Sequence, residues 1–273
     1  MKLVISPCPN DVWVFAGWIL GEIAAPEVQV TYVDVQTANE WLLNGTADVD
    51  IMKVSYGVWG ALGSTWVPLR SGGAMGYGCG PLLLENRRGA VTGPFLVPGE
   101  NTTANILLDT WLLGRDNRTY QKFGKQYFPF DSLYERLCTV PGTRGVVIHE
   151  GRFTYEQDGL SLVKDLGTYW EEVTGAPIPL GLIVHRAGLV GSEGLDSIIN
   201  ASLCWARQNP ERALALCAEH ARDMRLDVMR EHIALYVNAF TEDIGSAGER
   251  AISALETQLA ATATTSLFST HKT

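Results

Sequence analysis

Residues 2–35 decide the fold class, and they read KLVISPCPNDVWVFAGWILGEIAAPEVQVTYVDV. The apolar start predicts a short buried strand, which the following prolines end. The pattern over 10–23 predicts a helix with Asn10 or Asp11 as its N-cap. The segment VQVTYVDV (28–35) alternates and is rich in valine, which is typical of a strand.

A second helix and a third strand continue the same order. Thr37 predicts the cap of the helix, with Glu40 three residues later and Gly45 as its end. The segment DVDIMKVS (48–55) predicts the next strand. Because a β-α-β-α-β order places parallel strands side by side under helices, we expect an α/β fold with a parallel sheet.

A separate α/β unit is predicted in the middle of the chain. Strand-like segments at 94–99 and 145–150 enclose a helix over 102–114. This unit lies between two apolar strands, PLLLE (81–85) and PLGLIV (179–184). We therefore expect two lobes, a discontinuous one formed by 1–91 and 180–273 and a second formed by 92–179.

Composition excludes several classes of protein. With 46% apolar residues and a formal net charge of −9 over 273 residues, the chain is too apolar for disorder and lacks the basic stripe of nucleic-acid binders. No apolar run approaches the roughly 18 residues of a membrane helix, and we expect no signal peptide. Because the chain is acidic and gives an anion no long-range attraction, an anionic ligand must be held locally, by N–H groups, hydroxyls and one or two cations.

The five cysteines indicate reduced thiols. Their number is odd, and the sequence contains no C-x-x-C. We therefore expect neither a disulfide framework nor a structural zinc site, and a cytoplasmic location fits best.

Two segments of the first lobe are candidates for binding an anion. SPCPND (6–11) joins a strand to a helix, so Asn10 lies where helix N–H groups and their partial positive charge suit a carboxylate. Lys53 and Ser55 stand at the carboxyl end of a strand, where open α/β sheets bind ligands. The alternative for both segments is helix capping alone, by Asn10 and by Ser55.

Two further segments carry hydroxyls. Thr102 and Thr103 fall at the N-cap and first turn of a helix, where they either hold an anion or only cap the helix. The segment RSGGAMGYGCG (70–80) contains Ser71, which we also assign to substrate binding. Its glycines match neither a dinucleotide loop nor a phosphate loop, and they indicate tight turns and close backbone approach.

His149 is the candidate catalytic residue. It ends an apolar strand, where side chains of open α/β sheets reach the ligand, and a neutral imidazole is a good general base near neutral pH. The motif is not HExxH because Phe153 stands in place of the second histidine, so we expect no metal site. The alternative is a satisfied core histidine.

Seven ordered blocks resemble the 1,4-dihydroxy-6-naphthoate synthase family, the lyases of the futalosine route to menaquinone. They cover nearly the whole chain, from Ser6 to about Leu255. The blocks are SPCPND (6–11), KVSY (53–56), LRSGGAMGYGCGPLL (69–83), VPGENTTA (97–104), IHEGRFTY (148–155), LGTYWEEVTGAPIPLG (166–181) and YVNAF (236–240).

The resemblance implies a fold, a reaction and a set of site residues. The fold is the two-lobed, periplasmic-binding-protein-like type II fold with a ligand cleft between the lobes, and no metal or other cofactor is implied. The reaction converts cyclic dehypoxanthinyl futalosine to 1,4-dihydroxy-6-naphthoate. The implied base is His149, and the implied substrate contacts are Lys53, Val54, Ser55, Thr102 and Thr103. We expect a small anionic aromatic substrate, no nucleic acid or membrane partner, and a monomer or homodimer.

Two alternatives stay open. A chorismate dehydratase, the sister enzyme of the same pathway, shares the fold, but we do not expect it to carry IHEGRFTY (148–155). The other alternative is a non-catalytic binding protein for an aromatic acid. The expected absence of a leader argues against a transport role, and His149 argues against pure binding.

Overall fold

The computed structural model describes residues 1–46, 48–114, 120–221 and 224–269, with side chains described up to 261. It divides the chain into two compact units, Met1–Gly76 with Leu180–Gly245 and Tyr77–Pro179 with Ser246–Thr273. The second unit thus begins earlier than the predicted boundary at residue 92, because the strand Leu82–Glu85 is hydrogen-bonded in the sheet of that unit.

The first unit is built on a mixed sheet. Its strands are β1 (Lys2–Ile5), β2 (Gln29–Tyr32), β3 (Ile51–Ser55), β4 (Trp66–Pro68), β5 (Ala74–Gly76) and β11 (Ile178–Arg186). The order is β2-β1-β3-β11-β4, and β5 pairs with β11. The parallel pairing predicted for the first three strands is confirmed, whereas β11 runs antiparallel to both β3 and β4.

Helices cover the strands of the first unit. They are α1 (Pro9–Ile19), α2 (Val35–Asn44), α7 (Leu195–Gln208), α8 (Pro210–His220), α9 (Leu226–Tyr236) and α10 (Ala239–Glu242), with 3₁₀ turns at Tyr56–Ala61 and Ser192–Gly194. The core of the unit lies between α1, the sheet and α7 to α9. Its fully buried side chains include Leu3, Ile5 and Phe15.

The start of α1 differs from the prediction. Cys8 is the N-cap, and Pro9 occupies the first turn, where its fixed φ suits a helix and its missing N–H costs nothing. Asn10 and Asp11 are therefore not caps, and both lie inside the first turn and are buried.

The cap of α2 also differs, while its end is confirmed. Asp34 is the N-cap and accepts a hydrogen bond from Gln36 N at 2.8 Å, so Thr37 lies within the helix. Asp34 is the cap because its carboxylate, three residues before Thr37, reaches the first N–H groups of the helix. Gly45 ends the helix in the left-handed region with a φ of 63°.

The second unit has its own sheet. Its strands are β6 (Leu82–Glu85), β7 (Phe95–Val97), β8 (Lys125–Tyr127), β9 (Arg144–Val147) and β10 (Ser161–Asp165), and its helices are α3 (Thr103–Leu113), α4 (Phe130–Thr139), α5 (Gly151–Thr154) and α6 (Leu166–Thr174). The strand order is β10-β6-β9-β7-β8. A last helix, α11 (Gly245–Ser269), ends the described chain. No helix among the described residues is long and apolar enough to cross a membrane.

Close backbone approach explains two of the glycines in the segment 70–80. A Cβ on Gly80 would lie 2.3 Å from the Cα of Gly167, so neither position accepts a side chain. A Cβ on Gly73 would lie 2.8 Å from the carbonyl oxygen of Gly181. The predicted role of these glycines in close packing is confirmed.

A buried ion pair joins α1 to β3. The Lys53 ammonium contacts the Asp11 carboxylate, and the two side chains are only 7% and 5% exposed. Ser6 Oγ donates to Asp11 Oδ2 at 2.7 Å, and Asn10 Nδ2 donates to Asp11 Oδ1 at 2.6 Å. Each carboxylate oxygen is thus satisfied, as a buried charge requires.

Removing one charge of this pair will destabilise the protein. Asp11→Asn leaves Lys53 buried without its counter-charge, which typically costs about 3–5 kcal/mol of folding free energy. The double variant Asp11→Asn/Lys53→Met will recover much of that loss, because an apolar side chain needs no partner. The control is Glu22→Gln, which breaks a partly exposed pair with Arg212 and costs less than about 1 kcal/mol. Urea denaturation measures all three, and a double variant no more stable than Asp11→Asn would contradict this account.

Candidate functional site

The carboxyl end of β3 presents Ser55. Its hydroxyl accepts a hydrogen bond from Gly57 N at 3.0 Å, and its own N–H donates to Asn39 Oδ1 at 2.9 Å. The hydroxyl therefore caps the 3₁₀ turn that follows, which was the alternative to ligand binding. The cap uses a lone pair of the Ser55 hydroxyl oxygen. Val54 is fully buried and pairs with Leu182 of β11.

Asp11 brings together Lys53 and Asn10, two of the predicted substrate contacts. Both direct their side-chain donors to this carboxylate. The positive charge of Lys53 is consequently offset before any ligand binds. Sequence reasoning treated Asp11 only as a helix cap and missed its contact with Lys53. The signal was available, since a lysine inside a buried strand needs an acidic partner.

Ser71 is also engaged by an acidic residue. Its hydroxyl donates to Asp196 Oδ1 at 2.6 Å, and its N–H donates to the same oxygen at 2.9 Å. Asp196 lies in the first turn of α7 and accepts from Arg70 N as well, at 3.0 Å. Because the hydroxyl proton is already donated, Ser71 offers only lone pairs in this arrangement.

Helix α3 presents the two threonines at its N-terminus. Thr102 is the N-cap, as predicted, and its Oγ1 accepts from Asn105 N at 3.3 Å and donates to Gly99 O at 2.8 Å. Thr103 Oγ1 donates to Pro179 O at 3.1 Å. Both hydroxyl protons therefore point to backbone carbonyls. What α3 offers an anion is the set of N–H groups in its first turn and their partial positive charge.

His149 adopts a backbone conformation that sets it apart. It lies two residues beyond β9 with a φ of 53°, and within the described ranges no other residue with a Cβ has a positive φ. Histidine visits this region more often than most residues, but such conformations usually cost about 1–3 kcal/mol and cluster at functional sites. The side chain is partly exposed. These features favour a functional role over that of a core histidine.

Helix α4 provides the surroundings of His149. The ring of Phe130 meets the imidazole edge to face, with 5.2 Å between the ring centres and 72° between the planes. One turn later, Tyr134 Oη donates to Asp158 Oδ2 at 2.6 Å and lies 2.9 Å from Thr154 Oγ1. Burial and this carboxylate raise the pKa of Tyr134, so the phenol stays protonated. Helix α4 was not predicted, although Phe130, Leu133 and Leu137 have helical spacing.

Two buried cysteines stay protonated, and the described residues form no metal centre. Burial raises the pKa of the Cys79 thiol to about 12, and burial does the same for Cys217. These thiols are therefore not nucleophiles near neutral pH. No group of three or more His, Cys, Asp or Glu side chains in the described part of the chain is placed to hold a metal ion.

A groove of about 530 Å³ lies elsewhere on the first unit. It is found where β1 and β2 begin, and none of the predicted site residues lines it. The lining residues are Lys2, Val4, Gln29, Thr31, Trp41, Thr46, Asp48 and Val49. Since ligands of open α/β sheets bind at the carboxyl ends of strands, this groove is not the candidate site.

Solved structures identify the fold. A crystal structure of a protein from Archaeoglobus fulgidus has a TM-score of 0.85 and 25% identity, covering 95% of this chain and 96% of that one. The periplasmic aliphatic sulphonate binding protein of Escherichia coli has a TM-score of 0.61 at 14% identity, covering 95% and 87%. The type II periplasmic-binding-protein fold that the resemblance implied is thereby confirmed.

Sequence comparisons identify the family. The family described as Menaquinone biosynthesis matches residues 1–261. A 1,4-dihydroxy-6-naphthoate synthase of Thermus thermophilus is 37% identical, covering 93% of this chain and 92% of that protein. One of Streptomyces coelicolor is 38% identical, covering 96% and 93%. Because the match extends over nearly the whole length of each protein, this chain belongs to the menaquinone biosynthesis family.

Proposed function

We propose that this protein is a cytoplasmic, cofactor-independent lyase that converts cyclic dehypoxanthinyl futalosine to 1,4-dihydroxy-6-naphthoate, with His149 as general base. The observation that carries the proposal is the left-handed backbone of this histidine at the end of β9. The name shared by the two curated relatives supports the reaction.

The imidazole is suited to the proposed proton transfer. A neutral ring accepts a proton near neutral pH, and its position beyond a strand end keeps it partly exposed. The edge-to-face contact with Phe130 restricts the orientation of the ring. Proton abstraction assists elimination of the sugar-derived fragment, and the gain of aromaticity in the product favours the reaction. One base therefore suffices.

Two features are separate candidates for binding the substrate carboxylate, Ser55 in the first unit and the first turn of α3 in the second. The chain is acidic, with a net charge of −9, and Asp11 offsets the charge of Lys53. A carboxylate must then be held by hydrogen bonds and by the partial charge of a helix N-terminus, which together suit a single negative charge. Ser55 at the carboxyl end of β3 and the N–H groups that begin α3 are each suited to that kind of contact.

Replacing His149 will abolish most of the activity without disturbing the fold. Asparagine tolerates the left-handed backbone, so His149→Asn should keep its melting temperature and lose roughly 10²–10⁴-fold in kcat, the usual effect of removing a general base. The assay incubates each protein with cyclic dehypoxanthinyl futalosine and quantifies the naphthoate by chromatography. A folded variant with near-normal kcat would contradict the role of His149.

The same assay separates the competing functions. The wild type should release the naphthoate from cyclic dehypoxanthinyl futalosine and leave chorismate unchanged. Consumption of chorismate would favour the dehydratase alternative. Stoichiometric binding of the substrate without any conversion would favour a non-catalytic binding protein.

Ser55→Ala will weaken product binding. Hydrogen bonds to charged groups contribute roughly 1.5–3 kcal/mol, so we expect a 10- to 100-fold higher Kd by calorimetry, together with a small loss of stability from the missing cap. The matched variant is Ser202→Ala, whose buried hydroxyl accepts a hydrogen bond from Trp18 N at 3.1 Å. It should lower the melting temperature and leave Kd unchanged. If Ser55→Ala also lowers only the melting temperature, its hydroxyl is a cap alone.

A further inference from the structure

We propose that Arg152 is a positioning residue for His149. Its guanidinium donates hydrogen bonds to the glycine segment 78–80 and to Asp165. These bonds hold in place the turn that begins at His149. This inference rests on the proposed function, because it assigns a role in placing the proposed base. Arg152 has no part in that mechanism as stated above, and it is not among the residues that the sequence analysis selected.

The guanidinium makes three hydrogen bonds within the second unit. Its Nη1 donates to Gly80 O, and its Nη2 donates to Gly78 O at 2.8 Å and to Asp165 Oδ2 at 2.9 Å. The side chain is only 16% exposed. Two of the three acceptors are backbone carbonyls, so the contact fixes main-chain positions as well as a side chain.

The acceptors of Arg152 are themselves held by α6. Asp165 caps this helix and accepts from its first N–H groups at 2.9 and 3.0 Å. Gly78 N donates to Glu171 Oε1 at 2.7 Å, and Gly80 abuts Gly167 so closely that neither accepts a Cβ. Arg152 therefore connects its turn to the segment 78–80 and to the start of α6, which are themselves held together.

The turn that Arg152 fastens begins at His149. Arg152 N donates to His149 O at 3.3 Å, which closes the turn directly after the left-handed residue. A strained backbone persists only when its surroundings fix it. Phe130 contacts the imidazole, and Tyr134 is hydrogen-bonded to Thr154 at the far end of the turn. Arg152 connects the turn to the segment 78–80 by hydrogen bonds.

Lysine cannot replace this arginine. The planar guanidinium presents donors in a fixed fork and reaches three acceptors at once, whereas an ammonium is a point charge on a flexible stem. Arg152→Lys therefore keeps the charge and loosens the turn. A displacement of a catalytic group by about 1 Å can cost on the order of 100-fold in rate.

The test compares Arg152→Lys with Arg87→Lys in the cyclic dehypoxanthinyl futalosine assay. Arg87 pairs with Glu85 in the same unit, but its side chain is 61% exposed. We expect kcat to fall roughly 10- to 100-fold in Arg152→Lys, with KM changed less than about 3-fold, since a positioning residue affects the reacting geometry. Arg87→Lys should match the wild type. Asp165→Asn, which removes one acceptor, should show a smaller loss of kcat.

Coupling to His149 distinguishes positioning from a merely structural role. In the His149→Asn background, Arg152→Lys should change kcat no further, because its effect passes through the imidazole. Histidine labelled with ¹³C at Cε1 provides a readout without turnover. The His149 resonance, identified by its absence in His149→Asn, should shift or broaden in Arg152→Lys and not in Arg87→Lys.

The outcomes separate this inference from the proposed function. Wild-type kcat and an unchanged His149 resonance in Arg152→Lys would overturn the positioning role. An equal further loss in the His149→Asn background would also overturn it, as would a change in KM alone. A wild type that does not convert the substrate refutes the proposed function, and the His149 resonance then still decides whether Arg152 positions the ring.

Discussion

The left-handed backbone of His149 is the constraint that the surrounding contacts of the second unit must maintain. A residue with a Cβ resists this conformation, so neighbouring elements must hold it in place. Helix α4 does so through a ring contact and a half-buried tyrosine, and Arg152 does so through carbonyls of the segment 78–80. Two residues after His149 the chain has Gly151, where a Cβ would lie 2.7 Å from the Tyr134 ring. The surrounding contacts thus fix the orientation of one imidazole, as the proposed general base requires.

The first unit contains a buried charge that is paired with an opposite charge. Its buried lysine is matched by Asp11, and that carboxylate is satisfied by two further donors, so the interior carries a closed polar cluster without net charge. We propose that recognition of an anionic substrate rests on hydrogen bonds, because the charge of Lys53 is already offset. Such recognition depends little on ionic strength, because no basic surface field contributes to it.

Sequence reasoning succeeded where a strong local pattern coincides with the final contacts. The apolar run of β11 and the Thr102 cap of α3 are examples. It failed where position depends on distant partners. The short strand β8 has a polar sequence and is held by pairing with β7. The N-cap of α1 is Cys8, because Pro9 occupies the first turn. The fixed orientation of His149 was also beyond prediction, since it arises from α4 and from a guanidinium whose two carbonyl acceptors lie more than 70 residues away in sequence.

Chemical rescue of His149→Gly tests the central claim, that the imidazole at this position acts as a base. Glycine adopts a φ of 53° without cost and leaves room for a small molecule, so the variant should fold and bind product. The account predicts that this variant is nearly inactive and that added imidazole restores naphthoate release, more strongly for more basic imidazoles. A folded His149→Gly protein with wild-type turnover in the absence of imidazole would contradict it.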